Sequence, residues 1–206
     1  EFWDGLGDCY EQGLVRAVGV SNYGSQALRD VHKALSARGI PLASNQVQYS
    51  LVYRFPELNG MKATCDELGV KLLAYSPLGL GVLTGKFAKD KLPSGPRATI
   101  ATKFLEDPAF TDLIALMRDV ASKHGPGTTP SQVAIAWCMA KGTVPIPGVR
   151  NARQAEENVK AASLVLAPRE VEDLDLAASR LRPVLSPETN PFPQKSLDTG
   201  RLLFEA

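Results

Sequence analysis

The feature that most limits how this chain can fold is a recurrence of short apolar runs between amphipathic helical segments. Val15 to Val20 reads as a buried strand, Ile40 to Ala43 leads into a second at Ser44 to Ser50, and Val70 to Tyr75 reads as a third. The strand centres Val18, Val47 and Leu73 lie close to the ~30-residue spacing of one βα unit. Helical patterns fill the intervals: Glu1 to Gln12 closed by Gly13, Ser25 to Arg38 closed by Gly39, and Pro56 to Leu68 closed by Gly69. Short apolar strands alternating with helices predict a parallel sheet covered by helices, with right-handed crossovers.

The rhythm changes after Tyr75. Leu78 to Lys103 is rich in Gly, Pro, Ser, Lys and Thr and reads as a long loop, a class of segment that is often functional. Helices follow at Pro108 to Lys123 and Thr129 to Lys141, the second opened by Thr129-Pro130-Ser131-Gln132, a good N-cap with proline in the first turn. Val144 to Gly148 reads as a short fourth strand, followed by helices near Ala152 to Ala162 and Pro168 to Leu181. Residues 1–185 thus read as one α/β domain, and 186–206 as a Pro-rich tail.

Four βα units make an open half-sheet whose outer strands, around Val18 and Ile146, carry unpaired edges. Closing the sheet with four more units removes them, as in a TIM-type barrel. The chain has 206 residues, against ~250 or more for a full (β/α)₈ barrel. It opens at Glu1-Phe2-Trp3-Asp4 inside a helical pattern, without Met or a basic leader. The expectation is an incomplete parallel (β/α)₈ barrel: its last four βα units plus C-terminal helices, with the missing units upstream.

Charge and cysteine usage narrow the function classes. Lys plus Arg number 23 against 22 for Asp plus Glu, so no overall bias points to nucleic acid or an anionic membrane. No apolar run is long enough to span a bilayer. Cys9, Cys65 and Cys138 are far apart and read as reduced thiols, and His32 and His124 lack ligand-like spacing, so no metal site is visible.

In parallel α/β folds the chemistry sits at the carboxyl ends of the strands. Here those ends are Ser21-Asn22, Gln46 to Tyr49, Tyr75 to Gly79 and Pro147 to Asn151. The set is amide-rich, with two tyrosines and no histidine or carboxylate dyad, which suits holding a polar planar ligand. Each part also has an ordinary structural reading. Ser21-Asn22 can cap the next helix, Asn45-Gln46 can bond neighbouring loops, Tyr49 and Tyr75 can be half-buried aromatics, and Lys86 and Arg97 can be solvated charges. Two apparent nucleotide motifs fail. Gly79 to Thr84 lacks the last glycine of G-x-G-x-x-G, and Gly81 to Phe87 is one residue short of a P-loop and ends on Phe87.

Five blocks resemble the aldo-keto reductase superfamily, in family order. They are Val18-Gly19-Val20-Ser21-Asn22, Asn45-Gln46-Val47-Gln48-Tyr49-Ser50, Ala74-Tyr75-Ser76-Pro77-Leu78-Gly79, Leu83-Thr84-Gly85-Lys86-Phe87, and Ile146 to Asn151 followed by Gln154, Glu157 and Asn158. Glu1 to Asp8 and Ser94 to Arg97 resemble its plastid-type branch most, which implies a soluble protein of the chloroplast, with the cytoplasm as the alternative location.

The resemblance implies an NADP(H) cofactor and a small aldehyde or ketone substrate. It implies that Ser21, Asn22 and Gln46 bond the nicotinamide carboxamide, and that Tyr49 or Tyr75 stacks on the ring. Ser76, Pro77, Leu78, Gly79 and Gly81 would lie over the pyrophosphate, with Lys86 and Arg97 as phosphate partners. Gly148 to Asn158 would take the adenosine end, with Arg150 at the 2′-phosphate and Gln154, Glu157 and Asn158 on one helix face at the adenine. The family's catalytic Tyr, Lys, Asp and His come from the first four strands, so no catalytic residue is expected here, and the chain alone is expected to be inactive. The alternative is a non-catalytic nicotinamide-nucleotide-binding or regulatory protein.

Overall fold

The computed structural model describes residues 2–185. The expected Pro-rich tail over 186–206 lies outside the described residues. The strands β1 (Val18–Ser21), β2 (Leu42–Gln48), β3 (Lys71–Tyr75) and β4 (Val144–Ile146) form one sheet in the order β1-β2-β3-β4. β1 and β2 run parallel, with Ser21 opposite Gln46. The described residues divide into two compact units, residues 2–48 with 55–73, and residues 49–54 with 74–185.

The first unit holds β1, β2 and four helices, α1 (Phe2–Glu11), α2 (Ser25–Ser36), α3 (Phe55–Leu58) and α4 (Met61–Glu67). α2 is amphipathic: Leu28, Val31 and Leu35 recur at helical spacing and are buried. Each contributes about 1.5–3 kcal/mol of burial. Arg38, just past α2, ties α1 down by donating to the Asp4 carbonyl and to the Asp8 and Glu11 carboxylates. Its guanidinium lies where a Cβ on Gly7 would stand, which explains a glycine inside α1.

The second unit holds α5 (Arg97–Leu105), α6 (Pro108–Lys123), α7 (Pro130–Ala140), α8 (Ala152–Lys160) and α9 (Pro168–Ser179). α7 is its central helix, with every residue from Ser131 to Cys138 buried. The predicted cap is present as a full capping box between Thr129 and Gln132. α6 starts on Asp107, a buried carboxylate that accepts from the Ala109 and Arg182 backbone N–H groups.

Several boundaries differ from the sequence reading, and β2 runs Leu42–Gln48 where Ser44 to Ser50 was expected. Val15 to Ala17 stays out of β1 and is exposed, because pairing with β2 begins only at Val18. The helix expected over Pro56 to Leu68 breaks in two at Gly60, which takes φ 82°, while Asn59 Oδ1 accepts from Met61 N. The expected strand Val144 to Gly148 stops at Ile146. The long loop after Leu78 contains a 3₁₀ turn, Gly79–Thr84, and then α5.

α6 and α9 are linked by His124 Nε2, 2.8 Å from Glu170 Oε2. Burial acts to raise the Glu170 pKa, but the Ala167 N–H, His124 and Lys123 outweigh it and hold the carboxyl below its usual 4.5. A depressed carboxylate stabilises the fold above its unfolded pKa and loses that contribution as pH falls through the folded value. Glu170→Gln is therefore expected to lower the urea midpoint at pH 7. The gap should close as pH drops below 4.5, which urea titrations at stepped pH would check.

Candidate functional site

The carboxyl end of β1 is built around a single carbonyl. The Gln46 oxygen accepts from Ser21 Oγ and from Asn22 N, both at 2.9 Å. Asn22 sits at φ 60°, a left-handed value that turns the chain out of the strand in one residue. The capping alternative for Ser21-Asn22 is not what the structure has, because α2 is capped at Gly24 without a side-chain bond. Asn45 does bond a neighbouring loop: its Oδ1 accepts from Tyr23 N at 3.3 Å and its Nδ2 donates to Tyr23 O at 2.9 Å.

Alternation along β2 points Asn45 and Val47 away from Ser44 and Gln46. Ser44, Gln46, Ser21 and Gly19 border a concavity of about 590 Å³, with Phe2 and Leu6 of α1 on its apolar side. Gly19 has to lack a side chain, since a Cβ there would overlap Ser44 Oγ. None of the lining side chains is charged at neutral pH. The arrangement suits a neutral polar group such as a carboxamide, which exchanges both donor and acceptor bonds with an amide. Ser44 and Gly19 were not singled out from sequence; their small size is the one signal they carry.

The second unit carries the other candidates. Tyr49 is fully buried and its ring stacks on Trp137, with centroids 5.1 Å apart. Its backbone N–H donates to the Tyr75 carbonyl at 3.2 Å. Tyr75 is half-buried, so of the two ring candidates it is the one with surface to offer. Ser76 at φ 53° ends β3, and its carbonyl accepts from Gly79 N at 2.8 Å. Pro77 is buried, and Leu78 accepts from Gly81 N and Leu83 N. At Gly79, φ 55°, a Cβ would run into Val52.

Arg118 Nη2 donates to the Gly85 carbonyl at 3.0 Å, which fixes the turn bearing Lys86. The exposed Lys86 reaches α8, its Nζ 3.9 Å from Glu157 Oε2. The structure thus brings a candidate phosphate lysine to a candidate adenosine-end helix. Arg97 is the first residue of α5 and is half-buried. Gly148 and Arg150 are exposed. Gln154 has a local task, because its Oε1 accepts from Arg150 N while Asn151 Oδ1 accepts from Gln154 N. Glu157 and Asn158 are half-buried on the same helix.

Among the described residues no group of three His, Cys, Asp or Glu could hold a metal ion, and no helix is long and apolar enough to cross a membrane. The cysteines are free. Burial pushes the Cys65 thiol up to about 11 and that of Cys138 up as well, so neither is a thiolate nucleophile at neutral pH.

Residues 1–178 match the family model described as Aldo/keto reductase family. The chain belongs to the aldo/keto reductase family. It is 49% identical over 176 residues to pyridoxal reductase, chloroplastic, of Arabidopsis thaliana, covering 85% of this chain and 47% of that one. It is 30% identical over 177 residues to aldo-keto reductase yakc of Schizosaccharomyces pombe, whose name carries NADP(+), covering 82% of this chain and 50% of that one. The solved structure of a thermostable aldo-keto reductase, Tm1743, with the inhibitor epalrestat superposes with a TM-score of 0.62 at 28% identity, covering 85% of this chain and 53% of that one. The chain spans about half the length of the curated relatives it matches. Its strands and helices correspond to part of the (β/α)₈ barrel of this oxidoreductase family.

The two tyrosines should separate experimentally. Tyr49→Ala is expected to cost about 3–5 kcal/mol, the usual loss for a buried aromatic. Tyr75→Ala is expected to cost well under half of that, and urea denaturation of both variants would check it.

Proposed function

We propose that this chain is the cofactor-binding part of an NADPH-dependent reductase of small aldehydes and ketones. The observation that carries the reading is the strand-end register of Ser21 with Gln46 beside an uncharged cavity. Such a pair can hold a carboxamide in one orientation, which fixes the ring face from which hydride leaves. Tyr75 is the stacking residue of this reading. Ser76 to Gly81 contribute the close-approaching backbone at the pyrophosphate, and Lys86 and Arg97 its counter-charges.

Arg150 accounts for a preference for NADPH over NADH. Among the described residues its exposed guanidinium has no ion-pair partner, and a guanidinium can grip a phosphate with two hydrogen bonds. The relative whose name carries NADP(+) supports the same cofactor. In this reading the residues that deliver the proton to the carbonyl oxygen are not on this chain, which by itself turns over no substrate. Likeness to a chloroplastic pyridoxal reductase makes pyridoxal the first aldehyde to assay with any longer protein that contains this chain, and the plastid the compartment in which to look for it.

Titration of the 206-residue chain with NADPH and NADH, followed by Trp and nicotinamide fluorescence, tests the reading. Saturable binding that prefers NADPH is expected, without oxidation of the cofactor when aldehyde is added. Arg150→Ala should weaken NADPH binding about tenfold, equivalent to ~1.4 kcal/mol, and leave NADH unchanged. A folded chain that binds neither nucleotide would refute the proposal.

A further inference from the structure

We propose that Thr129 and Gln132, at the start of α7, are positioning residues for the nucleotide end of the site and act through Glu157. The proposal rests on the nicotinamide-nucleotide reading given above.

Glu157 is held from two directions. Its Oε1 lies 2.9 Å from Thr129 Oγ1. An ionised carboxylate only accepts, so the threonine hydroxyl must donate its one proton there. The hydroxyl oxygen in turn accepts from Gln132 N at 3.4 Å. The Gln132 Oε1 accepts from Thr129 N at 2.9 Å, which leaves its Nε2 to donate to the Glu157 carbonyl at 3.0 Å. The capping box therefore satisfies the first turn of α7 and hands both of its remaining donors to one residue of α8, the hydroxyl to the side chain and the amide to the main chain.

A helix cap needs neither of those two bonds. An acceptor at the cap position is enough, and even glycine there costs only a few tenths of a kcal/mol. The donors matter because of what the other carboxylate oxygen faces. Glu157 Oε2 is 3.9 Å from Lys86 Nζ, and the side chain is 17% exposed. With Oε1 committed to Thr129, the carboxylate cannot turn to take Lys86 with both oxygens. Lys86 stays a loose partner, available to a phosphate. Without the threonine donor the carboxylate is free to close on Lys86 and withdraw it from the ligand.

The test is NADPH affinity of the whole chain at low and high KCl for the unchanged protein, Thr129→Gly and Thr129→Ser, with urea midpoints measured alongside. Thr129→Gly keeps an adequate cap but has no donor. It is expected to bind NADPH about tenfold more weakly, the scale of one hydrogen bond to a charged group, and with a flatter dependence on salt, because one lysine–phosphate attraction is lost. Thr129→Ser should restore both affinity and salt dependence. The positioning role is overturned if Thr129→Gly binds as the unchanged chain does, or if Thr129→Ser is impaired equally. Failure of the unchanged chain to bind NADPH overturns the nucleotide reading itself and this proposal with it.

Discussion

The parallel pairing of β1 with β2 is the constraint on which the candidate site depends. Parallel strands place their carboxyl ends side by side, so Ser21 and Gln46 come together although 25 residues separate them. The same pairing explains the residue sizes. Gly19 is small because Ser44 occupies the space beside it, and together they leave the hollow that Ser21 and Gln46 border. Asn45, facing the other way, uses its amide as a substitute peptide unit for Tyr23. The two bonds satisfy the part-buried N–H and C=O of Tyr23. One strand end thus has a structural amide at Asn45 and an adjacent amide, Gln46, still facing the cavity.

The second unit rests on a different interaction, the partly buried carboxylate of Asp175. Trp137 Nε1 donates to it at 2.9 Å and Lys141 Nζ at 2.8 Å, while Arg54 Nη1 donates to the Asp175 carbonyl at 2.8 Å. Arg54 and Lys141 also lie 5.9 and 5.8 Å from the Trp137 ring centroid, within the range of cation–π attraction. A carboxylate removed from water is tolerated when its lone pairs are met in this way. The consequence reaches the strand ends: Trp137 is held by its indole N–H, Tyr49 stacks on Trp137, and the Tyr49 N–H holds the carbonyl of Tyr75.

Much of this was legible in the sequence because periodicity and caps are local signals. The helix expected near Pro108 to Lys123 is present as α6, and Thr129-Pro130-Ser131-Gln132 announces the start of α7. What was not legible depends on contacts far apart in the chain. The break at Gly60 is different: Asn-Gly is a turn-forming pair and Asn59 Oδ1 accepts from Met61 N two residues on, so its signal is local and is masked by the helical pattern on either side. Tyr49 and Tyr75 look equivalent as strand-end aromatics, and only Trp137, 88 positions beyond Tyr49, distinguishes them. Likewise the motif at Thr129 identifies a cap, but the bond from its hydroxyl to Glu157 spans 28 residues and leaves no local trace.

Backbone conformation gives an independent reason to place function at these strand ends. Among the described residues, Asn22, Ser76 and Leu80 alone take positive φ without being glycine. A left-handed conformation costs an L-residue roughly 1–2 kcal/mol, and such strain collects where function over-determines the geometry. Asn22 follows β1 directly, Ser76 follows β3, and Leu80 lies in the turn beyond it. All three lie just past the carboxyl ends of parallel strands, where ligands of such sheets are bound. A chain selected only for stability would relieve the strain with glycine, as it does at Gly13, Gly39 and Gly69, where helices end and φ is 69–70°. Asparagine is one of the few other residues that enters this region readily, so Asn22 turns the chain at little cost, whereas Ser76 and Leu80 carry the larger backbone cost just past β3.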